Sequence, residues 1–268
     1  MKAFLEGLYL VYNRRELVHP DPLEFLYNYG EPPDREIVGL VASCLAYGRV
    51  AQILQSVRKA LAPLGPHPHD FLTQNPSDLR PALNETYKNF KHRFTTGEHV
   101  ADLLARVSDI LRSYGSLEEF MRSCLNKGGS VLSALDIFSR TLSPARDGFS
   151  MLPSPENGSA CKRLFLYLKW MVRRDEVDPG GWMALSPKDL IMPTDTHIHN
   201  ITRQLGLTKR KQADLKTALE ITRAFAAFSP EDPTRYDFAL TRFGIRGALR
   251  VSELIGFYAN RNDVSMLK

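Results

Sequence analysis

Apolar positions recur along this chain at the three-and-four spacing of helix faces. Phe4, Leu5, Leu8, Val11 and Tyr12 form one stripe, Ile37, Val38, Val41, Ala42 and Leu45 a second, and Ile53, Leu54, Val57 and Leu61 a third. Val100, Leu103, Leu104, Val107, Ile110 and Leu111 repeat the pattern, as do Val131, Leu132, Leu135 and Phe138 and, less regularly, Leu219, Ile221, Thr222 and Phe225. No stretch alternates convincingly with a period of two. Breakers separate the stripes at His19-Pro20-Asp21-Pro22, Pro32-Pro33, Pro63 to Pro68, Gly128-Gly129 and Ser229 to Pro233. The pattern therefore predicts an all-α fold of about a dozen short helices, without internal repeats or low-complexity tracts. The longest irregular piece runs from Ser143 to Ser159, and a loop of that length in a compact domain is usually functional.

Composition narrows the class. A chain of 268 residues with 43% hydrophobic content buries a large core, as one two-lobed domain or two small ones. Its net charge of +5 permits binding to a polyanion without requiring it. The start of the chain has a lysine and a short apolar run, but Glu6 interrupts it and no small-residue cleavage site follows, so a cytoplasmic protein is expected. No apolar run approaches the ~20 residues that span a bilayer, so no membrane partner is expected. Cys44, Cys124 and Cys161 are odd in number and widely spaced, which argues against a disulfide framework and a four-cysteine metal or iron–sulfur site. They are expected to be core thiols in a monomer.

The segment after the long loop, about 160–174, resolves face by face at 100° per residue. Cys161, Leu164, Phe165, Leu168, Met171 and Val172 gather on one side, while Lys162, Lys169 and Arg173 line up on the other. One face is expected to be core and the other a basic rail. As a rail, Lys169 and Arg173 would be either solvated or in contact with phosphates. Lys162 differs because it falls in the first turn, where unpaired amides and the positive dipole end disfavour an ammonium and so favour a nucleophilic amine. Ser159 or Asn157 is a suitable cap for that start.

A carboxylate stands thirty-three positions later, in Met192-Pro193-Thr194-Asp195-Thr196-His197-Ile198-His199. Asp195 is a good helix cap, and a carboxylate held by helix-start amides is favoured as an anion and rigidly aimed. A lysine and an aspartate, each at a helix start, are the minimal equipment for amine attack on a sugar carbon, the chemistry of DNA base excision. The same segment contains H-x-H, which would suit a metal-dependent hydrolase with alternate histidines on a strand. Against that, no histidine follows His199, no strands are expected, and on a helix His197 and His199 lie 200° apart. No metal site is expected.

Met192 to Ile198, followed by Ile201 and Arg203 and closed by Leu205-Gly206-Leu207, resembles the P-V-D-x-H-V signature of the helix-hairpin-helix DNA glycosylase superfamily. Arg35 to Leu61 resembles the early helix pair of those enzymes, with Ala46-Tyr47-Gly48-Arg49 at the break that faces DNA in relatives. Tyr236 to Ile245 resembles their late helix, which ends in a glycine turn. The whole chain also resembles a family of uncharacterised bacterial proteins marked by K-R-L, W-M-V-R-R-D, D-P-G-x-W and P-x-D-T-H. The departures are specific. The compact L-P-G-x-G hairpin of relatives is replaced by Leu152 to Ser159, which keeps only the L-P and a late glycine. The lysine-to-aspartate gap is long, as in the archaeal 8-oxoguanine glycosylase branch. Tyr47 and Arg49 replace the usual glutamines.

The resemblance implies a two-lobed helix-hairpin-helix glycosylase-like fold, with a central lobe over 36–180 and a second lobe from 1–35 plus 181–268. It implies a base-excision repair glycosylase with apurinic/apyrimidinic lyase activity, acting on double-stranded DNA with a damaged base, an oxidised purine in this branch. Lys162 would be the nucleophile and Asp195 the stabiliser of the sugar cation, with no cofactor. Tyr47, Arg49, Trp170, Trp182 and His197 would line the substrate site. Lys169, Arg173, Arg93, Gly158 and Ser159 would contact DNA, Arg93 from the charged and aromatic patch Asn89 to Phe94. A noncatalytic helical DNA-binding module is the alternative reading, in which Lys162 and Asp195 serve only solvation and capping.

Overall fold

The computed structural model describes residues 1–74, 79–145 and 148–245, together with 254 and 256. Twelve α-helices and one two-stranded hairpin occur among them. The helices are α1 (Lys2–Tyr12), α2 (Pro32–Cys44), α3 (Val50–Leu61), α4 (Pro68–Thr73), α5 (Leu79–Tyr87), α6 (Gly97–Tyr114), α7 (Leu117–Gly128), α8 (Val131–Leu142), α9 (Lys162–Val172), α10 (Thr196–Gln204), α11 (Leu215–Ala226) and α12 (Asp237–Ile245). Between α5 and α6 the antiparallel strands β1 (Lys91–His92) and β2 (Thr95–Thr96) make a tight turn. The anticipated apolar stripes correspond to α1, α2, α3, α6, α8 and α11. No helix among the described residues is long and apolar enough to cross a membrane.

Capping chemistry sets several of the helix starts. Ser116 and Ser130 accept the amides of Glu119 and Ser133 at the starts of α7 and α8, and Asp214 accepts that of Thr217 at the start of α11. Gly129, left-handed at φ +66, lets α7 turn directly back into α8.

Two hydrophobic cores result. The first holds the inward faces of α2 to α9. The second is assembled from both ends of the described chain: Leu5 and Leu8 of α1 meet Met192, Ile198 and Ile201 around α10, Ile221 and Phe225 of α11, and Leu240 and Phe243 of α12. The division departs from the one expected at residues 35 and 181. Leu23, Phe25 and Leu26, and likewise Trp182, Leu185 and Leu190, pack into the first core because they cover α2 and its neighbours. Residues beyond 245 in the expected second lobe lie outside the described ones, apart from 254 and 256.

Buried polar groups stitch the first core. Glu36 of α2 accepts the Leu117 amide at 2.7 Å and the Trp182 indole N–H at 3.0 Å, tying α7 and the segment after α9 to one carboxyl group. Burial pushes Glu36 up to about 7, and these two hydrogen bonds offset that only in part. Because the folded value lies above the unfolded one, this carboxyl favours the fold at acid pH. That contribution is lost as pH rises from the ordinary glutamate range through 7. Relative to Glu36→Gln, the parent should therefore lose roughly 3 kcal/mol of unfolding free energy between about pH 4 and about pH 8. Urea unfolding of both proteins at the two pH values checks this, and a pH-independent difference would sink it.

Candidate functional site at the meeting of two helix starts

Lys162 opens α9. The residue before it, Cys161, takes a left-handed conformation at φ 47, and no side chain caps the helix. The caps anticipated at Ser159 and Asn157 do not form: Ser159 Oγ accepts the Cys161 amide at 3.3 Å, and Asn157 closes a short 3-10 turn. Asp195 does cap α10. Its Oδ1 accepts the amides of His197 and Ile198, both at 2.9 Å. Its other oxygen, Oδ2, faces Lys162 Nζ at 3.3 Å, and the same ammonium donates to Ala46 O at 3.4 Å. Residues far apart in sequence thus meet at two helix starts, with one carboxylate oxygen on each task.

A cavity of about 590 Å³ opens beside the pair, lined by residues of α9, by the start of α10 and by α12. Leu166, Lys169 and Trp170 of α9 line it together with Lys162. These are positions i, i+4, i+7 and i+8, so one face of α9 forms the wall. Asp237, Phe238 and Thr241 of α12 and Asp21 also line it. A second cavity of about 370 Å³ adjoins it and shares Ala46, Tyr47, Lys162 and Ala213.

Of the anticipated substrate residues, Tyr47, Trp170 and His197 line the larger cavity. Tyr47 is fixed by its hydroxyl, which lies 2.9 Å from His92 O and 2.8 Å from Thr95 Oγ1 and accepts the Thr95 amide at 3.1 Å. Burial lowers the His92 pKa, so this buried ring favours its neutral form as it bridges Ser56 Oγ and Tyr47 O. Gly48 is needed where it stands: it sits at φ +99, and a Cβ there would lie 2.8 Å from Arg93 Cδ. Arg93 is exposed at the hairpin turn next to Phe94, which is 68% exposed. Two of the anticipated residues are elsewhere. Arg49 is exposed at the start of α3 and lines neither cavity, and Trp182 is core, held by Glu36.

The basic rail is overturned. Lys169 and Arg173 are 1% and 3% exposed. Lys169 Nζ pairs with Asp237 at 2.9 Å and Asp178 at 3.5 Å. Arg173 pairs with Asp175 at 2.8 Å, with Asp232 at 2.9 Å, and with Asp178. Burial disfavours the Lys169 ammonium, but Asp178 and Asp237 outweigh it and hold its pKa above the ordinary lysine value. It is therefore a poor source of free amine. Burial likewise pushes Asp175 upward, yet Arg173 and the amides of Asp178 and Val177 bring it down to about 2. A local face count could not anticipate this, because Asp232 and Asp237 arrive from the second core.

The Gly158 and Ser159 stretch is also occupied within the protein. The amides of Asn157 and Gly158 donate to Ser154 O and Pro155 O, and Gly158 O accepts the Leu215 amide at 2.9 Å. Ser159 bridges Asp214 in an isolated antiparallel pair. His197 and His199 do not share a site: His199 Nε2 lies 3.0 Å from Arg210 O, while His197 lines the cavity. Among the described residues, no three His, Cys, Asp or Glu side chains are grouped to hold a metal. Asp21, Asp237 and Phe238 were not anticipated as cavity residues. Asp21 lies in a proline-rich breaker and carries no periodic signal, whereas Leu166, four residues after Lys162, was open to discovery by helix spacing.

Removing Lys169 leaves the buried Asp237 without its cation and Asp178 with Arg173 alone, so Lys169→Met should cost about 3–5 kcal/mol of stability. The half-exposed Lys162 pair is worth under about 1 kcal/mol, so Lys162→Gln should barely shift the denaturation midpoint. Chemical denaturation of the two variants measures the contrast, and equal losses would contradict it.

No curated protein and no solved structure matches this chain. A family model described as a protein of unknown function, DUF2400, matches residues 21–246, a span that takes in α2 to α12 and every residue of the cavity except Pro20. The chain belongs to the DUF2400 family.

Proposed function

We propose that this protein is a base-excision enzyme of the helix-hairpin-helix glycosylase type, which removes a damaged base from duplex DNA and then cleaves the sugar-phosphate chain through a lysine Schiff base. The observation that carries the reading is the 3.3 Å approach of Lys162 Nζ to Asp195 Oδ2 at the edge of a cavity of about 590 Å³. That volume falls within the usual range for a small-molecule pocket, and the partly exposed Tyr47 supplies aromatic surface for a flipped base, while Trp170 and Phe238 line the cavity as buried rings.

The roles follow from the geometry. As the base departs with the electrons of the glycosidic bond, positive charge grows on the deoxyribose, and the Asp195 carboxylate is the anion nearest the amine that attacks. Lys162 must lose a proton before Nζ attacks C1′, and Asp195 Oδ2 is in place to accept it. Collapse of the adduct opens the sugar to an imine. Loss of a C2′ proton then expels the 3′ phosphate, and water releases the lysine. These steps draw on no metal or redox cofactor. An oxidised purine is the expected substrate class.

Asp195 also caps α10, which favours a second reading, a noncatalytic DNA-binding module in which the ion pair is purely structural. Two substitutions separate the readings. Lys162→Gln should abolish borohydride trapping on lesion-containing duplexes while the fold persists. Asp195→Asn keeps a competent cap, because Asn caps about as well as Asp, but removes the charge, so base release should fall by orders of magnitude at unchanged thermal stability. Base release unaffected in Asp195→Asn, or a parent inactive on every lesion tested yet bound to DNA, would leave the module as the better account.

A further inference from the structure

Lys209 and Lys211 stand exposed on the loop between α10 and α11, with Arg210 between them half-buried. The Arg210 guanidinium is drawn inward: Nε donates to Thr217 Oγ1 at 2.8 Å and Nη2 to Asp214 Oδ2 at 2.7 Å. Its amide donates to Thr208 Oγ1 at 3.1 Å, and that hydroxyl donates to Glu220 Oε1 at 2.7 Å. The His199 ring meets its carbonyl. The loop is therefore firmly built, and its two outer lysines are held at the surface. Lys216 adds a third exposed ammonium in the first turn of α11, where the helix dipole opposes a cation and helix stability gives no reason for one. Among the described residues none of the three lysines has an acidic partner.

The loop is joined to the candidate site. Leu215 N donates to Gly158 O, Asp214 bridges Ser159, and Ala213 lines both cavities. The loop thus lies against the stretch that leads into Lys162. The other anticipated phosphate contacts are mostly unavailable. Lys169 and Arg173 are buried in ion pairs, and the amides of Asn157, Gly158 and Cys161 already have acceptors within the protein.

We propose that the α10–α11 loop is the phosphate-gripping element of this protein: Lys209, Lys211 and Lys216 hold the backbone of duplex DNA beside the nucleotide that enters the cavity, a task that hairpin amides do not perform here. The inference rests on the reading of the chain as a DNA enzyme, but binding alone reads it out. Side-chain ammoniums act by displacing counterions, so each phosphate contact contributes about −0.9 to the slope of log affinity against log salt.

The test measures affinity for a short undamaged duplex by fluorescence anisotropy across a salt series. It compares the parent, Lys209→Gln/Lys211→Gln/Lys216→Gln, and the control Lys127→Gln on α7, a helix that lines neither cavity. The triple variant should flatten the slope by about 2.7, so that between about 50 and about 200 mM salt the parent loses about 40-fold more affinity than the variant. The control should match the parent. A parent slope retained by the triple variant, or a parent that binds no duplex at low salt, would overturn the proposal. Borohydride trapping by the parent, run alongside, keeps the two readings apart. Trapping with an unflattened slope removes the loop's role alone, and a flattened slope without trapping on any lesion keeps the loop and removes the enzyme.

Discussion

Two buried cations, Lys169 in the last turn of α9 and Arg173 directly after it, hold the halves of this molecule in register. Lys169 and Arg173 each incur a desolvation cost of several kcal/mol, and the arrangement is tolerable only because Asp175, Asp178, Asp232 and Asp237 converge on them. Two of those carboxylates follow α9 directly, and two come from the start of α12 and the segment before it. The network therefore fixes both the rotation of α9 about its axis and its distance from the second core. Tyr9 adds α1 through a hydrogen bond to Asp175 at 3.0 Å. Lys162 lies seven residues earlier on the same helix, about 10 Å along the axis at 1.5 Å per residue. A rigid helix carries that setting to its own start, and the meeting with Asp195 depends on it.

Asp195 works under a similar economy of groups. A cap needs one carboxylate oxygen aimed at helix-start amides, which leaves the second oxygen's direction determined by geometry rather than by side-chain freedom. Here that direction is toward Lys162. The capping role is thus the means by which the carboxylate is aimed at the lysine.

The helical class and most of the helices were legible because each rests on local spacing, whereas the pairing of Lys162 with Asp195 was an expectation of the family resemblance. Apolar periodicity located α1, α2, α3, α6, α8 and α11, and the proline before Asp195 marked the start of α10. What was illegible depended on partners distant in sequence. The polar face of α9 reads as solvent-exposed until Asp232 and Asp237 are brought against it. Trp182 reads as a candidate pocket wall until Glu36, far upstream, takes its N–H. The hairpin stretch reads as a donor of free amides until the short turn at Pro155 takes those of Asn157 and Gly158 and Ser159 Oγ takes that of Cys161. The run Lys209-Arg210-Lys211 was visible in the sequence, but only the inward pull on Arg210 distinguishes the outer lysines from it.

The charges around the cavity are balanced pair by pair. Three carboxylates reach it, Asp21, Asp195 and Asp237, and left bare they would repel a polyanion at the mouth. Each is matched: Asp21 by the fully buried Arg242 at 2.8 Å, Asp195 by Lys162 at 3.3 Å, and Asp237 by Lys169 at 2.9 Å. Every one of these pairs links separate segments of the chain, so the neutrality of the cavity exists only in the assembled fold. The two interior pairs are enclosed and keep their geometry, whereas the Lys162 pair is partly open to solvent and is the only one of the three whose cation can be reached. An entering group that competes for Asp195 would therefore part the Lys162 ammonium from its carboxylate without disturbing the pairs that hold the lobes together. That separation of a soft outer pair from hard inner ones lets one helix be the structural axis of the protein and also carry the lysine to which the proposed function assigns the chemistry.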